Sequence, residues 1–358
     1  MTNGGRLYQL ARTRQLYTGE PFHAAKKTLS GGNNHSPFAV APMRQAHLEA
    51  EIFAKLCSGG QWWAHPFGIS SVQAMAQSAV LRLDSHTTFF DGTLYPRSAQ
   101  ALDELLPDAE PGVQVNGVVG LRVTGIDGPD LHLTLAGGGC HLILRGAPGT
   151  DWAGEIDERW DRLGKAGHPG LWRAQQLTNH EEKHIREYPR LWRSYRRLDW
   201  LGSALLRRLA VFHTSSTAYL SRSWIHNGEL ILELDTVRGI RLNHDAFLNQ
   251  LMDPVWGVPL RIRRRYCSCD PHQQLGHRIY TLQCTYHLEH PDDVGQGGLQ
   301  LRFRHGPDPH AGTTRKTLAS LGAPAKWLDR VLPKSSPDVS SPIDHERPSQ
   351  IPGEKDNS

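Results

Sequence analysis

The chain of 358 residues lacks the features that would place it outside the cytoplasm. Its five cysteines, at positions 57, 140, 267, 269 and 284, form an odd and sparse set, unlike the disulfide framework of a secreted domain. No stretch approaches the ~20 apolar residues that a membrane-spanning helix requires. The first residues lack the apolar region of a secretory signal peptide. These absences predict a cytoplasmic protein with no membrane segment.

The sequence also lacks the short motifs of several common enzyme classes. It contains no P-loop, no dinucleotide-binding glycine pattern after a strand and no Gly-x-Ser-x-Gly nucleophile turn. The glycines at 137–139 lie between two predicted strands, so we interpret them as a turn rather than a phosphate-binding loop. We therefore predict no cofactor, and the sequence does not favour an enzyme.

The sequence does contain a pattern that occurs twice. Residues 80–84 (Val-Leu-Arg-Leu-Asp) correspond to 231–235 (Ile-Leu-Glu-Leu-Asp), and the stretch 138–146 corresponds to 297–306. An offset of about 150 residues predicts an internal duplication. The fold class is then α+β, with two related domains that each contain a β-hairpin, a helix and a three-strand meander. Leu83 and Leu234 are predicted to be equivalent buried strand positions.

Periodicity and turn residues locate the elements of the two copies. The first copy is predicted as strands 69–75 and 79–84, helix 98–106 and strands 118–124, 131–135 and 140–145. The second is predicted as strands 217–225 and 229–235, helix 244–252 and strands near 258–268, 278–288 and 299–304. Asn227-Gly228 predicts the tight turn of the second hairpin, because both central positions of a type I′ turn need positive φ.

Composition and periodicity also predict the domain boundaries. We predict an N-terminal helical segment and linker (1–42), the first repeat (43–149), a helical connector (150–198), the second repeat (199–306), C-terminal helices (307–332) and a tail (333–358). The tail is rich in Pro, Ser, Asp and Lys, and it has too few apolar residues to offset the entropy of ordering, so we expect it to be disordered.

His180-Glu-Glu-Lys-His184 matches the H-E-x-x-H motif of zinc proteases, in which two His bind zinc and Glu acts as general base. Thr178 with Glu181 equally predicts a capping box at a helix start. We expect His180 and His184 to be partly exposed in a first helical turn without a third ligand. A zinc-dependent hydrolase built on this motif is the alternative function.

A second group of metal-binding residue types lies between positions 267 and 290. Its members are Cys267, Cys269, His272, His277, Cys284, His287 and His290. Thiolate and imidazole are zinc ligands, but C-x-C is not the usual spacing of a zinc knuckle. Strand alternation further predicts that Cys284 faces the core and His287 the opposite side, which would divide the group. We predict ordinary strand residues here rather than a metal site.

Arginine outnumbers lysine about three to one, and the net charge is +4. Two predicted surfaces collect arginine. On a helix starting at Pro189, several arginines and Trp200 lie opposite an apolar stripe, and in the second repeat arginines alternate along two strands. Arginine beside an aromatic is typical of single-strand and phosphate binding. The predicted nucleic-acid-binding residues are Arg190, Arg193, Arg196, Arg197, Trp200, Arg261, Arg263, Arg265, Arg302 and Arg304.

The twofold order of helix, hairpin, helix and strands resembles the LAGLIDADG endonucleases in outline. In that family a helix of each repeat ends in an acidic residue that binds the catalytic metal. The corresponding ends here read Cys-Ser-Gly-Gly at 57–60 and Phe-His-Thr at 212–214, and the glycine packing signature of the helices is missing. Metal site and cleavage activity are therefore not carried over to this chain.

These patterns together predict a non-enzymatic cytoplasmic protein that associates with DNA or RNA through arginine-rich faces. The zinc hydrolase is one alternative. A protein-interaction scaffold, in which arginine serves only solubility, is the other, with a protein partner in place of nucleic acid.

Overall fold

The structure is a computed structural model, and its described residues cover most of the chain. They are 3–31, 37–57, 62–88, 93–110, 115–189, 196–214, 218–236, 244–267, 283–292 and 297–304, with the single positions 316, 319, 325 and 329. These four positions are helical, in the region predicted as C-terminal helices. The predicted tail lies outside the described residues. Within the described part, no helix is long and apolar enough to cross a membrane.

Helices and strands are combined in an α+β architecture. The helices are α1 (Asn3–Thr18), α2 (Phe22–Ser30), α3 (Met43–Leu56), α4 (Arg97–Leu105), α5 (Trp152–Ala166), α6 (Asn179–Glu187), α7 (Asp199–Arg207), α8 (Ala210–Thr214) and α9 (His244–Leu251). The strands are β1 (Trp62–Trp63), β2 (Ile69–Ala74), β3 (Ser78–Leu83), β4 (His86–Thr88), β5 (Leu94–Pro96), β6 (Asp108–Ala109), β7 (Val115–Asn116), β8 (Leu121–Asp127), β9 (Asp130–Leu135), β10 (His141–Arg145), β11 (Ala218–His226), β12 (Glu229–Thr236), β13 (Arg261–Tyr266), β14 (Gln283–Glu289) and β15 (Gly298–Arg304).

The two predicted domains have the same strand order. In the first the sheet runs β2-β3-β10-β9-β8, and in the second the corresponding strands run β11-β12-β15-β14-β13. In each sheet the last strand of the meander lies parallel to the second strand of the hairpin. The register of these parallel pairs also agrees. Ser78 pairs with His141, and Glu229 pairs with Gly298, so in each domain the first residues of the two strands lie opposite each other. The chain thus contains two similar α+β domains, while their origin by duplication stays a prediction.

Most predicted elements are confirmed to within one to three residues. Leu83 and Leu234 are 3% and 0% exposed, as expected of equivalent core positions. Asn227 and Gly228 both have positive φ, at 51° and 78°, so the tight turn of the second hairpin is confirmed. The clearest addition is β1, β4 and β5, which extend the second sheet to eight strands although they come from the first half of the chain. With two or three residues each, they are too short for periodicity to reveal.

The helices that precede the two hairpins, α3 and α7, pack against each other. A Cβ added to Gly202 of α7 would lie 2.7 Å from the Cβ of Ala50 of α3, so glycine is required for this approach. Glycine packing between the helices is therefore present, against the sequence-based expectation. A buried ion pair holds the same interface, in which Nε of Arg207 lies 2.7 Å from Glu49 and Ser203 donates to the same carboxylate at 2.6 Å.

The helix predicted to start at Pro189 is not continuous in the structure. Residues 190–195 lie outside the described part, and the remainder is interrupted at Leu198 and again at 208–209. Arg208 has non-helical φ and ψ of −118° and 24°. Arg207, the last residue of α7, lies in the α3–α7 interface, where it is 2% exposed and paired with Glu49, instead of on an outer arginine face. Tertiary packing against Glu49 therefore overrides the helical periodicity.

Candidate nucleic-acid interface

An open groove of about 1380 Å³ runs along α7 and reaches the first turn of α3. Its walls come from five parts of the chain, which are residues 38–41 with the first half of α3, strand-end residues near Val119 and Leu135, residues around α6 with Pro189, residues 196–208, and Pro259. The groove is thus a product of tertiary packing, since no single segment contains it.

Three arginines line the groove without a carboxylate partner among the described residues. Arg196 and Arg197 are exposed, and among the described residues no Asp or Glu oxygen lies within 4.0 Å of their guanidinium groups. Arg44, at the start of α3, donates to the carbonyl of Ala136 at 2.9 Å and is likewise unmatched by a described carboxylate. These cations remain available to an external anion.

The acidic residue of the groove is already paired. Nδ1 of His47 lies 3.0 and 3.1 Å from the two carboxylate oxygens of Asp199. Burial opposes the imidazolium charge, but the hydrogen bond and charge of Asp199 outweigh it and raise the pKa of His47, while Arg196 acts in the opposite direction. Since His47 offsets Asp199, the groove keeps the positive charge of its arginines.

Trp200 lines the groove beside these cations. It is half-buried, and its ring meets His290 edge-on with centroids 5.1 Å apart. Val40 and Met43 add apolar surface, because their side chains are 86% and 82% exposed. A groove of this kind offers a phosphate-binding rim and an apolar contact area for flat rings.

Arg207 and Arg208 also reach the groove wall, but their guanidinium groups are engaged. Arg207 forms the ion pair with Glu49 and donates to the carbonyl of Ala39. Arg208 donates to the carbonyl of Trp256 at 2.7 Å, and burial lowers its pKa to about 10. These two residues hold the groove wall in place.

The second predicted arginine surface has a different character. Arg261 lies 2.8 Å from Glu289 and Arg263 lies 4.0 Å from the same carboxylate, while Arg265 lies 3.3 Å from Asp245. All six residues of β13 are exposed, because it is the edge strand of the eight-stranded sheet. Charged side chains on an exposed edge also prevent pairing with other chains. The arginines of β13 are thus largely matched by acids.

The remaining predicted residues divide between the core sheet and the undescribed parts. Arg302 on β15 is 26% exposed, lies 3.9 Å from Glu233 and has its guanidinium 5.3 Å from the Trp224 ring centroid. The side chain of Arg304 lies outside the described residues, as do Arg190 and Arg193.

The H-E-x-x-H motif forms a capped helix start. Thr178 and Glu181 make the reciprocal hydrogen bonds of a capping box, and the buried Glu181 carboxylate lies 2.7 Å from Arg122. Hydrogen bonds from Arg122 and the backbone outweigh burial and lower the pKa of Glu181. His180 is exposed as expected, but His184 is only 6% exposed, and its Nδ1 accepts the backbone N–H of Val115 at 3.2 Å. The carboxylate that would serve as general base in this motif, Glu181, is instead ion-paired with Arg122.

The predicted division of the Cys/His group is confirmed where it is described. Cys284 and Tyr286 are fully buried, whereas His287 lies on the other side of β14, 3.4 Å from Glu229. Cys269, His272 and His277 lie outside the described residues.

Comparison with protein-family models, curated proteins and solved structures finds no significant match. The geometry of the site is therefore the basis for a functional hypothesis.

Proposed function

We propose that the groove along α7 and the first turn of α3 binds single-stranded nucleic acid. The observation that carries the proposal is the set of Arg44, Arg196 and Arg197, which have no described carboxylate partner, beside Trp200 in one open groove. Arginine gives charge-assisted, bidentate hydrogen bonds to phosphate. A tryptophan face gives sequence-tolerant stacking to unpaired bases.

The distribution of charge pairs in the rest of the molecule supports this choice of surface. Buried arginines are matched by acids at short range, as in the pairs Arg14–Glu20, Arg122–Glu181 and Arg207–Glu49. Two exposed arginines on β13, Arg261 and Arg265, are matched as well. Single exposed arginines without a described carboxylate partner also occur elsewhere, but the groove collects three of them beside an aromatic ring, and an external polyanion would supply negative charge there.

The beginning of α3 adds to the positive potential. No side chain caps this helix, and its first turn contains no acidic residue. The unsatisfied N–H groups of a helix start carry a partial positive charge, which favours a nearby anion. Met43 and Arg44 of this turn line the groove. The helix dipole thus reinforces the arginine rim.

The size of the groove favours an extended ligand. Pockets for small molecules usually enclose ~300–1,000 Å³, whereas this groove has about 1380 Å³ and is open to solvent. Val40, Met43 and Trp200 would contact bases, while the arginines hold the phosphates. A duplex would hide its base faces, so an unpaired strand makes better use of the apolar part.

Fluorescence anisotropy tests the proposal with labelled DNA and RNA oligonucleotides of about 20 nucleotides, longer than the ~4–16 nucleotides that a single-strand-binding fold covers. The variant Arg196→Ala/Arg197→Ala should weaken binding at least about tenfold, since each hydrogen bond to a charged group contributes ~1.5–3 kcal/mol. The matched control Arg82→Ala/Arg173→Ala removes two exposed arginines elsewhere. Equal weakening by both variants would refute the assignment of the groove.

The protein-interaction scaffold remains a second candidate because of the exposed Val40 and Met43. An amphipathic peptide would use these residues and depend little on the arginines. At ~50 mM salt even non-specific nucleic-acid-binding proteins remain bound. If the wild-type protein does not bind oligonucleotides at this salt concentration, the nucleic-acid proposal fails and the scaffold is favoured. No observation on the described residues favours the zinc hydrolase, because Glu181 is bound to Arg122.

A further inference from the structure

Three side chains with metal-binding donor atoms meet in the interior of the second domain. They are His244 at the start of α9, Cys267 directly after β13, and Cys284 in β14. Their exposures are 5%, 8% and 0%, so the cluster is nearly closed to solvent. His244 is 23 and 40 residues away from the two cysteines in sequence, and the fold alone brings it to them.

The distances are those of a zinc site. The two sulfur atoms of Cys267 and Cys284 are 3.5 Å apart, and Sγ of Cys267 is 3.7 Å from Nδ1 of His244. All three donor atoms lie within 4.8 Å of one another. Tetrahedral zinc, with Zn–S near ~2.3 Å and Zn–N near ~2.0–2.1 Å, requires donor separations of roughly 3.5–3.8 Å. An ion could therefore enter with only small side-chain adjustments.

A cation and an aromatic hydroxyl lie close to the three donor atoms. The guanidinium of Arg265 lies over the Tyr286 ring, 5.6 Å from its centroid. The Tyr286 hydroxyl lies 2.8 Å from Nδ1 of His244. The donor atoms thus have polar neighbours inside an otherwise buried cluster.

The other cysteines that the structure describes lack this setting. Cys57 and Cys140 are fully buried, and neither belongs to a described group of metal-binding donors. Burial raises the pKa of Cys57 well above its ordinary value, as expected of a thiol that acts as an apolar core residue. The donor set in the second domain is thus not a general consequence of burying cysteine.

We propose that His244, Cys267 and Cys284 bind one zinc ion, with both cysteines as thiolates and His244 through Nδ1. Each thiol gives up its proton when the ion enters, so uptake releases two protons and involves no oxidation or reduction. The ion would join α9 to β13 and β14. β13 is an exposed edge strand, which gains most from such a link because it pairs with only one neighbour.

The main competing fate of the two sulfurs is a disulfide. The sulfurs are 3.5 Å apart, while a disulfide bond needs about 2.05 Å and an oxidant. A disulfide would leave His244 without a role as ligand. The two possibilities differ in the mass of the chain, in the number of free thiols and in metal content, so one set of measurements separates them.

The experiment begins with the full chain, purified in reducing buffer and analysed for metal by ICP mass spectrometry. About one zinc per chain is expected, with Zn–S bonds near ~2.3 Å in the X-ray absorption spectrum. After zinc is removed, titration with Co²⁺ should produce the charge-transfer absorption of cobalt thiolate. Cys267→Ser and Cys284→Ser should weaken cobalt binding by at least about 100-fold, whereas the control Cys140→Ser should leave it unchanged.

Three results would overturn the proposal. The first is folded, reduced wild-type protein that shows no cobalt–thiolate absorption. The second is a metal-free chain that is lighter by two hydrogens, with Cys267 and Cys284 linked. The third is full cobalt binding by a folded Cys267→Ser variant. If the serine variants do not fold, the zinc content and Zn–S bonds of the wild-type protein decide the question.

Discussion

The edge strands β8 and β13 occupy the same place in two sheets of the same order, yet they carry different chemistry. In the first domain Arg122 of β8 is 4% exposed and bound to Glu181 of the connector. In the second domain every residue of β13 is exposed, and Arg261 and Arg265 pair with Glu289 and Asp245. The two sheets nevertheless share their strand order. The polar residues at the edges can then diverge without changing the fold, so a role found in one domain cannot be transferred to the other.

A second contrast separates the middle of the α3–α7 interface from its end. In the middle, Glu49 and Arg207 are 0% and 2% exposed and satisfy each other. At the end, Arg196 and Arg197 are exposed without a described acidic partner. The buried pair of Glu49 and Arg207 stabilises the interface between the two domains. The exposed arginines leave positive charge available for a ligand.

The largest effect is expected from Glu49→Gln. This change removes the charge that Arg207 needs in the α3–α7 interface, and breaking a buried ion pair costs about 3–5 kcal/mol in unfolding free energy. Urea denaturation should show the loss. Asp157→Asn, in the exposed pair with Arg173, is the control and should cost less than ~0.5 kcal/mol. Equal costs for the two variants would erase the distinction between interface and surface pairs.

Leu83→Ala and Leu234→Ala compare the two sheets at equivalent positions. Both side chains are buried, so each truncation should cost about 2–5 kcal/mol through lost burial and a remaining cavity. Thermal and urea unfolding measure the two values. A substantial cost at one position and none at the other would contradict the equivalence of the domains.

Trp200→Ala tests the apolar part of the groove. The affinity for single strands should fall by about 1–3 kcal/mol for each stacked base, with a smaller loss for duplex of the same length. Trp160→Ala provides the control, because Trp160 is 36% exposed and does not line the groove. An equal loss for single strand and duplex would remove the stacking role and leave a purely ionic surface.

The domains also meet at two histidine rings with opposite pKa shifts. The rings of His65 and His213 are 5.2 Å apart. Burial lowers the pKa of His213 to about 3, with the neighbouring His65 adding to the effect. Burial also opposes the charge of His65, but the charge and hydrogen bond of Asp84 outweigh it and raise its pKa.

These shifts give opposite dependences of stability on pH. The unfolded chain protonates His213 below about 6.5, whereas the folded chain does so only near 3. Stability is therefore lost as pH falls through this window, at up to about 1.4 kcal/mol per pH unit. His65 stabilises the protein below pH ~6.5 and loses this contribution as pH rises through its folded pKa. The difference between wild type and His213→Gln isolates the first slope, and identical pH profiles would disprove it.

Local sequence rules predicted most of the fold. Asn227-Gly228 located the second hairpin because few other residues accept positive φ in succession. Alternation located β12 and β15, whose buried residues face the core. The strands β1, β4 and β5 were not predicted, because a strand of two or three residues is too short to show an alternation of apolar and polar residues.

The candidate sites depend on contacts that the sequence does not display. Arg196, Arg197 and Trp200 were predicted, but Arg44 joins them only through the packing of α3 beside α7. The acids that match β13 were missed for the same reason, since Glu289 reaches Arg261 by strand pairing. His244 likewise becomes a neighbour of the two cysteines only in the folded chain.

The salt dependence of oligonucleotide binding tests the central claim most directly. If Arg44, Arg196 and Arg197 hold phosphates, log K for a single strand should fall linearly with log salt, with a slope of about −0.7 per contact. Arg196→Ala/Arg197→Ala should make this slope shallower by about 1.4, while Arg261→Ala/Arg263→Ala, whose arginines are paired with Glu289, should change it little. A slope that stays the same in the groove variant, or one that is lost in the β13 variant, would contradict the account.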